Sequence, residues 1–272
     1  MGAGDHHSPA TPAVSLSGVR RPPPAAASDT PPSTASERDV RVLLVDDHPA
    51  VREGLAAILE SEEGLTVVGA AASVREAMSV ARREVPDVTM LDYHLPDGNG
   101  VELCLRLKEA PQPPVAVLYS AFADERLAVL AVMAGADGVI AKSASVEELC
   151  AAVRAAAAGR IDRPALSPAV LELHGSRLEP ADVPIFGMLT NGVSLPEIAE
   201  VLGLSADWLT ARRWAILRRL QDHSPDYGRR GRSIRPAPAD GRGLDTEEAV
   251  ERRTWAITRH MRGIPMGRRR RG

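Results

Sequence analysis

Five short apolar runs, each followed by a segment of helical period, constrain this chain more than any other feature. The runs are VRVLLV at 40–45, LTVVGA at 65–70, DVTML at 87–91, PVAVLY at 114–119 and GVIA at 138–141. Between and after them, the segments near 49–60, 73–83, 98–109, 123–134 and 145–158 space their apolar residues as helices do. Strands apolar at nearly every position are buried on both faces, and the alternating helices supply the two covering layers. The order predicts an α/β domain over residues 40–159, a doubly wound five-stranded parallel sheet.

The flanks read differently. Residues 1–39 contain seven of the 22 prolines among Ala, Ser and Thr, a composition that cannot bury enough apolar surface to order itself, so a disordered arm is expected. Residues 160–177 (with RIDRPALSPAV) form a linker carrying one short helix. Three compact helical segments near 180–191, 195–203 and 206–220 predict a small all-α domain over 178–222. Pro184 is expected to delay the start of the first of them. A basic extension follows at 223–272. Its Asp245 and Glu248 have capping-box spacing, and Val250, Thr254, Ile257 and Met261 share a face, which predicts a helix at 246–262.

Charge separates the same regions. The chain has 33 basic and 36 acidic side chains; residues 40–160 hold 11 and 18 of them, and residues 161–272 hold 19 and 14. Only the C-terminal part suits a polyanion. Cys104 and Cys150 lack metal-site spacing and read as reduced thiols of a cytoplasmic protein. No run is long and apolar enough for a membrane span, and no membrane association is expected.

Ligands of a parallel α/β sheet collect at the carboxyl ends of its strands. Asp46 and Asp47 end the first predicted strand, Asp92 the third; Ser120 follows the fourth and Lys142, one of only two lysines, the fifth. Singly, each has a plain alternative: a solvated turn, a helix cap or a surface charge. Together they place three carboxylates, a hydroxyl and an ammonium on one edge. Carboxylates so close repel each other, and Mg²⁺ suits an all-oxygen site. Asp92 is the expected carboxylate nucleophile toward phosphorus, with Mg²⁺ on Asp46, Asp47, Asp92 and the carbonyl of His94. Lys142 and Ser120 would each bind a phosphoryl oxygen.

In the C-terminal helices, Ser194 and Glu197 form an S-x-x-E cap, Leu204 and Ser205 make a turn, and Ser205 caps a longer helix. Leu209, Ile216, Leu217 and Leu220 would pack inward, leaving Arg212, Arg213, Arg218 and Arg219 outward. Such a cationic helix fits the major groove of DNA, and it equally fits an ordinary packing module with a solvated basic face.

The stretches VLLVDDHPAVREGLAAIL, MLDYHLPDGNGVEL and AGADGVIAKSASVEEL resemble the flavodoxin-like receiver domains of two-component response regulators of the NarL/FixJ type, over about 40–158. The resemblance implies phosphorylation of Asp92 by a histidine kinase or a small phosphodonor, Ser120 as the switch hydroxyl and Pro96 as the loop proline. The family's aromatic switch position is Val139 here. The stretch LEPADVPIFGMLTNGVSLPEIAEVLGLSADWLTARRWAILRRL is similar to the LuxR-type helix-turn-helix that follows such receivers. It implies transcription control by a homodimer on double-stranded DNA, with base contacts at Thr210, Ala211 and Trp214 and further contacts from Arg212, Arg218 and Arg219. The family's lysines are absent from this helix, and Arg213 stands at a normally apolar place. A second reading is a receiver-gated protein-interaction module, in which Trp208 and Trp214, taken as exposed, bind a protein partner. No motif for an independent enzyme is present.

Overall fold

The computed structural model describes residues 38–161 and 164–222. All but the last two residues of the expected N-terminal arm, and the helix expected at 246–262, lie outside the described residues.

The first predicted strand forms as β1 (Val40–Val45), followed by α1 (Pro49–Glu60), β2 (Leu65–Ala71), α2 (Val74–Glu84) and β3 (Val88–Asp92). A two-stranded turn, β4 (His94–Leu95) and β5 (Gly98–Asn99), leads into α3 (Gly100–Lys108). Then come β6 (Val115–Ser120), α4 (Glu125–Ala134), β7 (Gly138–Ala141) and α5 (Val146–Ala157). The central sheet runs β2-β1-β3-β6-β7, all parallel, as the alternating pattern predicts. One face packs Val42, Leu44, Met90 and Val117 against Leu55 and Leu59 of α1 and Leu149 and Val153 of α5. The opposite face packs Leu43, Leu91 and Leu118 against α2, α3 and α4. Burying each such leucine stabilises the fold by about 1.5–3 kcal/mol.

The linker contributes α6 (Pro168–Gly175), capped by Ser167. The output helices are α7 (Asp182–Thr190), α8 (Leu195–Leu202) and α9 (Ala206–Asp222). The Ser194–Glu197 capping box forms at α8, and Gly203 ends that helix with φ of +60°. Pro184 sits in the first turn of α7, where its missing N–H costs no helical hydrogen bond.

The α3–α4 side of the core continues without a break into Ile185, Phe186, Ile198, Leu209, Ile216, Leu217 and Leu220. All residues of α4 from Leu127 to Ala134 are buried. A helix apolar all round must be covered all round. The sheet lies on one side of α4, and α6, α7 and α9 lie on the other.

Candidate functional site

Register brings the polar residues to one level. Val45 pairs with Leu91, Asp92 with Tyr119, and Ser120 with Ala141. Asp46, Asp92, Ser120 and Lys142 are therefore at or just past the carboxyl ends of adjacent strands. Gly100 allows the next segment to fold back tightly, because a Cβ there would lie 2.2 Å from the Asp92 carbonyl oxygen.

Lys142 Nζ donates to Asp46 Oδ2 at 2.6 Å and stands 3.0 Å from Asp92 Oδ1. The backbone N–H of Lys142 donates to the Ser120 carbonyl at 2.8 Å, which fixes the strand end carrying the ammonium. Asp92 Oδ1 also accepts the Tyr93 N–H at 2.8 Å. Two donors thus hold Oδ1, and no hydrogen bond from the described residues holds Oδ2. Burial, foremost, pushes the Asp92 carboxyl above the usual carboxylate range; Lys142 opposes that shift and the Asp46 charge reinforces it. Burial works against the Lys142 ammonium, yet its contacts with Asp46 and Asp92 prevail and raise its pKa. The Tyr119 ring centroid is 5.5 Å from Nζ, a further site favouring the cation.

Asp46, Asp47, His48 and Asp92 can each offer one ligand atom, all within 4.8 Å of one another. Asp47 Oδ1 is buried without a hydrogen bond, although His48 Nδ1 is 2.6 Å away. An orphaned oxygen among three carboxylates suits a hard divalent cation. The residue type and its place directly after the Asp pair could have marked His48, which sequence reasoning passed over. His94 begins β4, with its ring edge-on to Tyr93 at 5.0 Å. Ser120 is buried, and its Oγ accepts the Phe122 N–H at 3.2 Å. Val139 is half-buried against the α3–α4 side of the core.

The output helix departs from expectation. Leu209, Ile216, Leu217 and Leu220 pack inward as predicted, but the arginines do not all face outward. Arg213 is buried, and its Nε donates to the Met133 carbonyl near the end of α4 at 2.6 Å. Gly135, with φ of +77°, leaves room for it, since a Cβ there would lie 2.7 Å from Arg213 Nη2. The polar end of a helix thus explains an arginine at a place where an apolar residue is usual: its cation meets carbonyls that no N–H of the helix reaches. Arg212 is paired with Asp182 and, at 2.8 Å, with Glu179, which also pairs with Arg219. The Arg218 guanidinium lies 5.9 Å from the Trp214 ring centroid.

Trp214 is buried, and its indole N–H donates to Glu109 at 2.8 Å; Trp208 is half-buried against the core. The two exposed tryptophans on which the protein-interaction reading rested are therefore absent. Thr210 is half-buried and Ala211 exposed. Along α9 the exposed residues are Ala206, Asp207, Ala211, Ala215 and Asp222, without a single cation. The DNA-contact candidates lie together on one helix, but in this arrangement Arg212, Trp214 and Arg219 are bonded within the molecule, and Arg218 lies beside the Trp214 ring with its Nε and Nη2 buried and without a hydrogen bond.

The fold and its acidic edge define a doubly wound α/β domain joined to a helical output unit. Residues 42–154 match the response regulator receiver domain. The chain is 38% identical over 177 residues to the DNA-binding transcriptional activator DevR/DosR of Mycobacterium tuberculosis, covering 61% of this chain and 81% of that protein. It is 32% identical over 190 residues to the transcriptional regulatory protein MctR of Rhizobium johnstonii, covering 66% and 87%. A solved LuxR-family two-component response regulator from Aurantimonas sp. SI85-9A1 is similar, with 33% identity, a TM-score of 0.44 and coverage of 49% and 94%. The chain belongs to the two-component response regulators, with a receiver domain ahead of a helical output region.

Proposed function

We propose that this protein is a transcription regulator whose DNA binding is controlled by transfer of a phosphoryl group from a histidine kinase to Asp92. The observation that carries this reading is the carboxylate of Asp92, buried beside Lys142 with Oδ1 held and Oδ2 open. Oδ2 attacks phosphorus, a P–O bond forms, and the donor's bond to phosphorus breaks, its leaving group departing with the electron pair. The Lys142 ammonium turns toward the transferred group, whose added charge and acceptor oxygens it answers together with the Ser120 hydroxyl. Asp46, Asp47, Asp92 and the His94 carbonyl would hold Mg²⁺, which when bound offsets the negative charge of the site. The chain acts in the cytoplasm, as a homodimer on double-stranded DNA, through Thr210, Ala211, Arg212, Trp214, Arg218 and Arg219 once α9 is released from the receiver.

An Asp92→Ala chain treated with acetyl phosphate and Mg²⁺ is expected to give no shifted band on a phosphate-affinity gel where the unaltered chain gives one. Equal labelling of the two would refute Asp92 as the acceptor. Genomic fragments selected with phosphodonor should bind with an affinity that falls steeply as salt rises, with a log–log slope near −0.9 per phosphate contacted. Binding indifferent to salt, or equal with and without phosphodonor, would refute the controlled use of the arginines.

A further inference from the structure

Arg212 and Arg219 already hold a carboxylate in the way that a backbone phosphate of DNA would be held. They stand two turns apart on one face of α9. Both guanidinium groups close on Glu179, which lies just before α7. Arg212 Nη2 donates to Glu179 Oε2 at 2.8 Å, and Arg219 Nη2 donates to Glu179 Oε1. Each oxygen of one carboxylate is thus taken by a different arginine. Two guanidinium groups so arranged would receive two oxygens of a phosphate equally well, since both anions offer charged acceptors to the same planar donors.

The slot is open to solvent on one side and anchored on the other. The side chains of Glu179 and Arg219 are 42% and 38% exposed, so an outside anion can reach them. Arg212 is fixed from behind by Asp182, whose side chain is only 4% exposed, and its guanidinium lies 5.8 Å from the Trp208 ring centroid. If Glu179 swings out, Asp182 still positions Arg212. Parting α9 from the receiver does not empty the slot, because Glu179 and Asp182 belong to the output region. The contacts made by Arg213 and Trp214 are of the other kind, since Met133 and Glu109 belong to the receiver.

We propose that Glu179 occupies a DNA-phosphate site formed by Arg212 and Arg219, a brake on DNA binding that lies inside the output region and acts whether or not the receiver is phosphorylated. The brake rests on the reading of this chain as a DNA-binding regulator. A phosphate enters as the carboxylate leaves, one anion exchanged for another on the same donors. An exposed ion pair is weak, and a duplex brings a dense row of phosphates, so DNA can displace Glu179 at a modest cost in affinity.

The test measures binding of the full chain to a mixed-sequence DNA duplex, with and without acetyl phosphate and Mg²⁺, while phosphate-affinity gels follow the phosphorylation. Glu179→Gln keeps the size of the side chain and removes its charge. It should bind the duplex about fivefold more tightly, the upper end of what one exposed ion pair is worth, and by the same factor in both conditions. Arg219→Gln should weaken binding more in the Glu179→Gln chain than in the unaltered one, because only there is the slot free. Unchanged affinity of Glu179→Gln would overturn the proposal. So would a gain confined to the chain without phosphodonor, which would put the brake at the receiver contact. Equal cost of Arg219→Gln in both chains would also overturn it, leaving Glu179 as a distant charge. Failure of the DNA-binding reading looks different: no chain would then bind the duplex in either condition, and the slot would fall with it.

Discussion

At the carboxyl edge of the sheet, acidic side chains crowd around one ammonium and leave Asp47 Oδ1 buried without a hydrogen bond, whereas on α9 the guanidinium groups of Arg212, Arg213 and Arg219 have found partners and Arg218 keeps two buried nitrogens without one. The first region keeps free energy in reserve for an incoming group. The second has the charges of Arg212, Arg213 and Arg219 already answered within the molecule, and could offer them to a polyanion only by giving those partners up. Unsatisfied polar groups are expected where function is waiting, and satisfied ones where structure is being held. A receiver and an output region built this way communicate through a change of partners.

The largest effect should test whether the two regions share a core. Leu217→Ala removes a fully buried side chain from the cluster that spans both, and is expected to cost about 2–5 kcal/mol. Thermal unfolding of the variant should remain one transition at lower temperature. Two well-separated transitions would break the comparison, because the helices would then be stored on the receiver only loosely.

Next in size is Lys142→Ala. It removes the cation between Asp46 and Asp92, and the rate of phosphate uptake from acetyl phosphate should fall about 100-fold, the size usual for losing one charge-stabilising donor. An unchanged rate would mean that the pocket is not waiting for a phosphoryl group.

A smaller effect should appear with Asp92→Asn, in the stabilising direction. The folded pKa of Asp92 is raised, chiefly by burial. The stability this group contributes is present below the unfolded carboxylate value of about 3.9 and is lost as pH rises through the raised folded value. At pH 7 the ionised group is thus a net cost. The variant should melt about 2–4 °C higher there, the response to roughly 1 kcal/mol, with the gain vanishing below about pH 4. A lower melting temperature at pH 7 would show that the pocket is satisfied after all.

The smallest effect belongs to Glu179→Gln. Arg219 and Arg212 hold the Glu179 carboxyl below the usual range, so its contribution is present above the unfolded value and lost as pH falls through the folded one. The group is well exposed, and solvent screening should limit the loss at pH 7 to under about 0.5 kcal/mol by urea midpoint. A loss of several kcal/mol would mean that α9 is stored chiefly by this pair of contacts.

Much of this was legible in the residues. The apolar runs announced strands buried on both faces, and their ends named Asp46, Asp92, Ser120 and Lys142, which the register then brought to one edge. The cover on α4 was also written there: from Leu127 to Ala134, LAVLAVMA has no polar face, and a helix without one must be enclosed. What could not be read was the enclosing partner. Arg213, Trp214 and Arg218 look like groove-seeking side chains, and only the position of the helix against α4 and Glu109 turns them inward.

The sequence by itself determined the order of strands and helices, the helix caps and the edge on which acids, hydroxyl and amine would meet, because period, capping and strand ends are local properties that each segment carries with it. Tertiary structure alone decided which surface of the output helix is turned to solvent. The carbonyl that receives Arg213 lies 80 positions earlier in the chain and the glutamate that receives Trp214 lies 105 earlier, and contacts across such separations depend on how whole elements pack.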